Sequence, residues 1–213
     1  MRKQTTQKRA VRSREAILLA AERIFAEEGL AGARTDAIAR RAGVNKALLY
    51  YYFQSKEALY LAIAEQHMKE FHRLGLQVLR GKGTARQKIL DFVGMHFDYA
   101  SQRPHFSRLF RRLEMAQGSM LGRLVKKYTL PVVTEVVRTV ERGVRAGEFR
   151  PVDGRQTAIS LVGLTVHYFL MAPLVSRVAR VDPYARPLLD RRKKEILNLV
   201  RYGLFRRPEE RWS

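Results

Sequence analysis

The chain has 213 residues, 46% of them apolar, enough to close a sizeable core and to exclude wholesale disorder. It has no cysteine, which excludes a disulfide framework, thiolate metal sites and a catalytic thiol at once. Its 41 Lys+Arg against 20 Asp+Glu leave a formal charge of +21, which calls for a polyanionic partner, either nucleic acid or an anionic membrane surface.

The first fourteen residues carry Arg2, Lys3, Lys8, Arg9, Arg12 and Arg14 and no acid. They form a basic arm that either tracks phosphates or stays a solvated tail. No apolar stretch follows, so the N-terminus does not read as a signal peptide. Apolar residues then recur at helical spacing through Ile17, Leu18, Ala21, Ile24 and Phe25, and Gly29 offers a stop. A short helix over Asp36–Ala42 has Thr35 as N-cap and Gly43 behind it. A third helix runs from behind Asn45 to about Phe53, and a fourth from behind Ser55 to Leu79, before Gly81-Lys82-Gly83.

Longer helices follow. Thr84 caps one reaching about Ser101, with Ile89, Phe92, Val93, His96, Phe97 and Ala100 on one face. Pro104 opens the next, with Phe106, Leu109, Phe110 and Leu113. Others are expected over Ser119–Ala146, Asp153–Ala179 and Pro183–Leu204. No stretch alternates with period two, so the fold is all-α. Gln156–Ser176 carries no charge over a length that would just span a bilayer. It includes Gln156, Thr157, Ser160, Thr165, His167 and Pro173 and is the sole such run, so it reads as a bundle helix of a soluble, cytoplasmic protein with no membrane partner.

Residues 35–53, TDAIARRAGVNKALLYYYF, carry the most specific signal. Two short helices joined by Ala42-Gly43-Val44-Asn45 describe a helix-turn-helix: Ala39 lets the helices cross closely, Gly43 supplies a positive φ, and Val44 seals the corner. Such a unit docks its second helix in the DNA major groove. The run from Ala16 to Leu59 resembles the DNA-binding region of the TetR family of bacterial transcriptional regulators. The resemblance rests on Ile17, Ala20-Ala21, Phe25, Gly29, Thr35, Ile38-Ala39, Ala42-Gly43-Val44, Leu49-Tyr50, Tyr52-Phe53 and Ser55-Lys56-Glu57-Ala58-Leu59. Leu48 and Ala47 depart from it, where a hydroxyl residue and a glycine are common; no phosphate contact is assigned to Leu48.

The resemblance implies a three-helix DNA-binding domain over 15–60, after the arm at 1–14, and a helical effector-binding and dimerisation domain over 61–213. It implies that Thr35 holds a phosphate, and that Asn45, Lys46 and Ala47 lie nearest the base edges. It further implies Tyr50 on sugar or a thymine methyl, and Tyr51, Tyr52 and Lys56 on phosphates. Lysine suits guanine O6/N7, and an alanine methyl suits thymine. Asn45 serves equally as a plain helix cap. Three adjacent tyrosines about 100° apart on a helix cannot all face DNA.

In the larger part, Leu189, Ile196, Val200 and Leu204 form a stripe that pairs with the uncharged helix through Gly163 and Leu170. It makes either a homodimer face or part of the monomer's own core. Phe92, His96, Tyr99, Phe106, Phe110, Tyr128, His167, Tyr168 and Met171 are the candidate effector lining, and they read equally well as bundle packing. Residues 1–60 hold 12 basic and 6 acidic side chains, and residues 61–213 hold 29 and 14, so most of the excess charge lies outside the helix-turn-helix. Arg103, Arg108, Arg111, Arg112, Arg123, Lys126 and Lys127 cluster around Glu114, either to accept an anionic effector such as an acyl-coenzyme A or as a solvated face.

His67, His72, His96, His105 and His167 are scattered, and no metal-binding pair, phosphate-cradling loop or nucleophile elbow occurs, so no metal, cofactor or catalytic residue is assigned. The expectation is a homodimeric repressor on a double-stranded, near-palindromic operator, released by a small-molecule effector. The alternatives are a constitutive or nucleoid-type DNA binder and, more remotely, a metal-dependent helical-bundle enzyme.

Overall fold

The computed structural model describes residues 2–103 and 119–206; the helix expected from Pro104, with Phe106 and Phe110, lies outside the described residues. The helices run α1 (Arg2–Gly32), α2 (Thr35–Ala42), α3 (Lys46–Phe53), α4 (Lys56–Arg80), α5 (Ala85–Ser101) and α6 (Ser119–Leu124). A π-helical turn (Val125–Thr129) follows, then α7 (Leu130–Arg145), α8 (Gly154–Ala179) and α9 (Arg186–Leu204). Among the described residues no strand forms, and a lone antiparallel bridge pairs Phe149 with Phe205. The fold is all-α, as the periodicity requires.

The element boundaries follow local chemistry, and four of them correct the sequence reading. The basic arm is not separate from the first helix: α1 starts at Arg2, because no glycine or proline interrupts the run before Gly29. At Gly29 (φ 77°, ψ 177°) the helix breaks, then makes one more turn to Gly32. Arg34, not Thr35, occupies the N-cap of α2, and it caps through its extended backbone alone. The helix expected over 119–146 is divided by the π turn, in which the Leu130 N–H reaches the Val125 carbonyl five residues back. Pro131 supplies the reason, since its ring would crowd the carbonyl of Lys127 in a regular helix. Asp182 holds a turn through the N–H of Tyr184 (2.9 Å), so α9 begins at Arg186 rather than Pro183. Elsewhere the caps stand as expected at Asn45, Ser55 and Thr84, and Asp153, expected inside its helix, caps α8; each accepts from the backbone N–H three residues on.

Contacts group the described residues into two compact units. One comprises residues 2–67 with 119–123, the other 68–103 with 124–206, so α4 contributes to both. In the first unit, Ile17, Ala21, Ile24 and Phe25 of α1 are buried with Ile38, Leu49, Phe53, Leu59 and Ile63. Phe25 meets Tyr60 edge-on at 5.0 Å, and Glu22 Oε1 lies 3.1 Å from His67 Nε2. In the second unit, Leu79, Ile89, Phe92, Val93, Phe97, Val136, Val140, Phe169, Ile196 and Val200 belong to one core.

A polar and aromatic clasp closes one end of that core. The Glu148 carboxylate accepts from the N–H groups of Ala85 and Arg86 (3.4 and 3.0 Å), while Arg86 Nε donates to the Glu148 carbonyl (3.0 Å). Phe149 stacks on Phe205 at 5.4 Å, and the Arg86 guanidinium lies over the Phe205 ring. Phe149 also packs so closely on Gly143 that a Cβ there would clash with the ring. The clasp leaves Phe149 little room to retreat. Gly143→Ala should therefore cost about 1–3 kcal/mol, the range for overpacking a core, read as a lower urea midpoint with an unchanged m value.

Candidate nucleic-acid interface and effector region

The α2–α3 corner is set by backbone geometry. Gly43 adopts φ 65°, ψ 32°, its N–H donates to the Arg40 carbonyl (3.2 Å), and the Val44 N–H donates to the Ala39 carbonyl (3.1 Å). Ile38 and Ala39 of α2 are buried, as are Leu49 and Phe53 of α3. Burying Leu49 and Phe53, four residues apart, turns the opposite face of α3 outward. That face exposes Lys46, Ala47, Tyr50 and Tyr51, and Tyr51 is 78% exposed. Tyr52 is half-buried, its ring edge-on to Tyr51 at 5.3 Å. Arg14 lies over the Phe53 ring at 5.2 Å.

Most polar groups expected at DNA already have protein partners. Asn45 Oδ1 accepts from the Leu48 N–H (2.7 Å), so the cap is formed and the amide NH₂ is the part that can face a base. Thr35 Oγ1 lies 3.3 Å from the Tyr50 hydroxyl, which ties α2 to α3. Lys46 Nζ lies 3.0 Å from Asp36 Oδ1. Lys56 Nζ donates to the carbonyls of Ala31 and Ala33 (3.3 and 3.1 Å), closing the end of α1 and leaving one of three ammonium donors over. Sequence reasoning missed Asp36, whose signal was an acid in the first turn of α2. The role of Lys56 at the end of α1 had no sequence signal, because its acceptors are main-chain atoms more than twenty residues away.

In the second unit, Phe92, His96 and Tyr99 of α5 are buried, and Phe71 of α4, absent from the expected set, gathers them. Its ring lies 6.3 Å from Phe92, 4.9 Å from His96 and 5.8 Å from Tyr99. Thr165 Oγ1 lies within hydrogen-bond distance of the Val162 carbonyl (2.9 Å). His96 Nδ1 lies 2.9 Å from Thr165 Oγ1, so the buried imidazole has a hydrogen-bond partner in either tautomer. Burial lowers the His96 pKa from 6.5 to about 4. Arg103 covers the Tyr99 ring at 4.0 Å and pairs with Glu70 at 3.3 Å, which places a guanidinium beside the aromatic cluster.

Tyr128, buried, lies in the π turn, whose widened hydrogen bonding lets its carbonyl accept from His72 Nδ1 (2.9 Å). Tyr168 is half-buried in a group with Phe97, Phe169 and Tyr184, and its hydroxyl is spent on the Pro183 carbonyl (2.8 Å). Met171 is half-buried and His167 exposed, so the structure does not gather the whole expected set into one group. Arg108, Arg111 and Arg112 of the basic cluster lie outside the described residues; Lys126 is exposed, and Lys127 Nζ sits over the Tyr128 ring at 4.8 Å.

A helix-turn-helix joined to a larger all-helical unit with a buried aromatic cluster defines a DNA-binding transcriptional regulator. The chain belongs to the TetR family: the model for bacterial regulatory proteins of the tetR family matches residues 17–63, and that for the tetracyclin repressor-like C-terminal domain matches 86–200. This is a family of transcriptional regulators and not of enzymes. The chain is 32% identical over 168 residues to the HTH-type transcriptional regulator RutR of Escherichia coli, covering 78% of this chain and 77% of that one. The same fold occurs in FadR of Bacillus subtilis, solved with stearoyl-CoA (TM-score 0.68, 20% identity, 87% of this chain and 96% of that one). It occurs also in AibR, solved with isovaleryl coenzyme A and operator DNA (TM-score 0.72, 19% identity, 88% and 97%).

The buried imidazole carries a pH signature. His96 titrates at a lower pH folded than unfolded, so the stabilisation it reflects is complete above pH 6.5 and is lost as pH falls toward about 4. A shift of that size corresponds to roughly 3 kcal/mol. His96→Gln, which keeps a donor but cannot be protonated, should show a shallower fall of stability over that window in denaturant titrations. Parallel pH profiles would acquit His96.

Proposed function

We propose that the chain is a homodimeric repressor that holds the two Asn45–Lys56 segments of its dimer in successive major grooves of a near-palindromic operator. The observation that carries this reading is the outward face of α3, where Lys46, Ala47, Tyr50 and Tyr51 stand exposed over the buried pair Leu49 and Phe53. In this assignment Lys46 donates to guanine, Ala47 meets a thymine methyl, and the Asn45 amide faces a base from the helix end it caps. Thr35, Tyr50, Tyr51, Tyr52 and the third donor of Lys56 hold sugar and phosphate. The helical residues 10–14, including Arg12 and Arg14, and the segment before them add positive charge to the same unit.

Dimerisation is supported by apolar side chains left on the surface of α8 and α9. Of the two readings of the α9 stripe, the monomer core fits Ile196, Val200 and Leu204, which are buried. A different set is exposed, with Ile159, Leu174 and Val178 on α8 and Leu188, Leu199 and Tyr202 on α9. Gly163 has open space above it, which permits close helix approach. By length and composition α8 is also apolar enough to cross a membrane, with only 28% of its most apolar window buried in the monomer. A partner subunit accounts for that exposure in a cytoplasmic regulator. Leu199→Glu should shift the protein toward monomer in sedimentation equilibrium and weaken operator binding with it.

The effector proposed is an acyl-coenzyme A or another anionic acyl compound, received by the second unit. Its support is the aromatic cluster around Phe71 with the Arg103 guanidinium beside it, together with the coenzyme A thioesters bound by FadR and AibR. Release follows only if the effector binds the DNA-incompetent state more tightly, with α4, shared by both units, as the element that moves. Calorimetry with stearoyl-CoA and isovaleryl-CoA against neutral aromatic compounds tests the class; tight binding of the neutral set alone would overturn it. For the DNA site, Lys46→Ala should relax sequence preference. Lys56→Ala should weaken all sequences alike, reduce the salt slope by about one and lower thermal stability, because two carbonyls at the end of α1 lose their donor. Equal effects of both substitutions on every sequence would refute that division.

A further inference from the structure

Lys46 opens α3 and Asp36 lies in the first turn of α2, so their ion pair (3.0 Å) bridges the two helices at their N-terminal ends. The side chains are 51% and 50% exposed, and an ion pair so wetted adds little to folding. Its placement has a cost in the proposed complex: Asp36 brings a negative charge to a face that must approach a polyanion. A free lysine ammonium on a flexible stem would take the nearest phosphate as readily as a base edge. With one donor on Asp36, the ammonium is held at the start of α3, and its two remaining donors match the two acceptors of guanine, O6 and N7.

Building on the DNA reading above, we propose that Asp36 is a positioning residue for specificity. Its carboxylate holds Lys46 on the base edge and off the sugar-phosphate backbone, giving up general affinity for discrimination at one guanine in each half-site. Asp36 itself touches no base in this arrangement; it acts through Lys46. The neighbouring Thr35–Tyr50 contact (3.3 Å) joins the same two helices without a charge and has no part in this selection.

The test uses the full-length protein and four forms: unaltered, Asp36→Asn, Lys46→Ala and the double variant. Each is put through selection from a randomised duplex library, and its affinity for a random-sequence duplex is followed against salt. The unaltered protein should fix a guanine in each half-site. Asp36→Asn should lose preference at that position by about fivefold to a hundredfold, while binding the random duplex more tightly with a salt slope steeper by about one. Lys46→Ala should lose the same preference, and the double variant should lose no more than Lys46→Ala alone. If Lys46→Ala relaxes the guanine and Asp36→Asn leaves it fixed, the positioning role is wrong and the DNA reading stands. If Lys46→Ala changes no position, the assignment of Lys46 to a base falls, and the positioning role with it. A weaker grip of Asp36→Asn on random duplex would also overturn the proposal, since a merely structural aspartate predicts that direction.

Discussion

Gly43 holds a backbone conformation, φ 65°, that side chains with a Cβ seldom adopt, and the angle between α2 and α3 follows from it. The space above this glycine is open, so the constraint is torsional and not steric. Given that corner, burial of Ala39 and Leu49 fixes how closely the two helices approach, and burial of Phe53 fixes how α3 is rotated. Every role assigned to Lys46, Ala47 and Tyr51 depends on this rotation, because a helix that buries one face has no freedom in what it shows on the other. The chemistry of recognition rests on the apolar half of an eight-residue helix.

The surface of that unit is held in place before any DNA is present. The Asn45 cap, the Thr35–Tyr50 contact, the Lys46–Asp36 pair and the two carbonyl contacts of Lys56 restrain side chains that, in the proposed complex, would otherwise have to be ordered on binding. Such restraint lowers the entropic cost of association. The second unit follows another logic. A histidine kept neutral by burial, a threonine hydrogen-bonded to it, and a π turn whose carbonyl is taken by His72 are polar features inside an apolar bundle. Each is satisfied at a specific geometry, so a ligand that disturbs one of them has a defined structural consequence. In the proposed switch, α4 carries both Phe71 and His72, and its first half belongs to the DNA-binding unit.

Legibility in the sequence tracked how local the determining physics was. Helix order, three of the side-chain caps and the helix-turn-helix could be read, because period, cap chemistry and a turn glycine act over a few residues. The π turn was missed, although Pro131 stood in the middle of the helix expected over 119–146, since a proline marks that a helix is interrupted but not the form of the interruption, which here falls one turn upstream. The surface that the α9 stripe closes stayed open between dimer face and monomer core: periodicity shows that Ile196, Val200 and Leu204 share a face but not which partner covers it. Phe71, Thr165 and the acceptors of Lys56 escaped for a related reason. Their meaning depends on contacts made across 21 to 69 residues of chain, about which local pattern is silent.

The central claim is that two α3 helices of a symmetric dimer read the major groove. Methylation interference on a duplex recovered by selection addresses it directly, because guanine N7 lies in the major groove and adenine N3 in the minor groove. The account predicts two clusters of interfering guanine N7 positions, related by two-fold symmetry and centred about one helical turn apart or somewhat more. A single cluster, interference confined to adenine N3, or uniform protection without symmetry would contradict it.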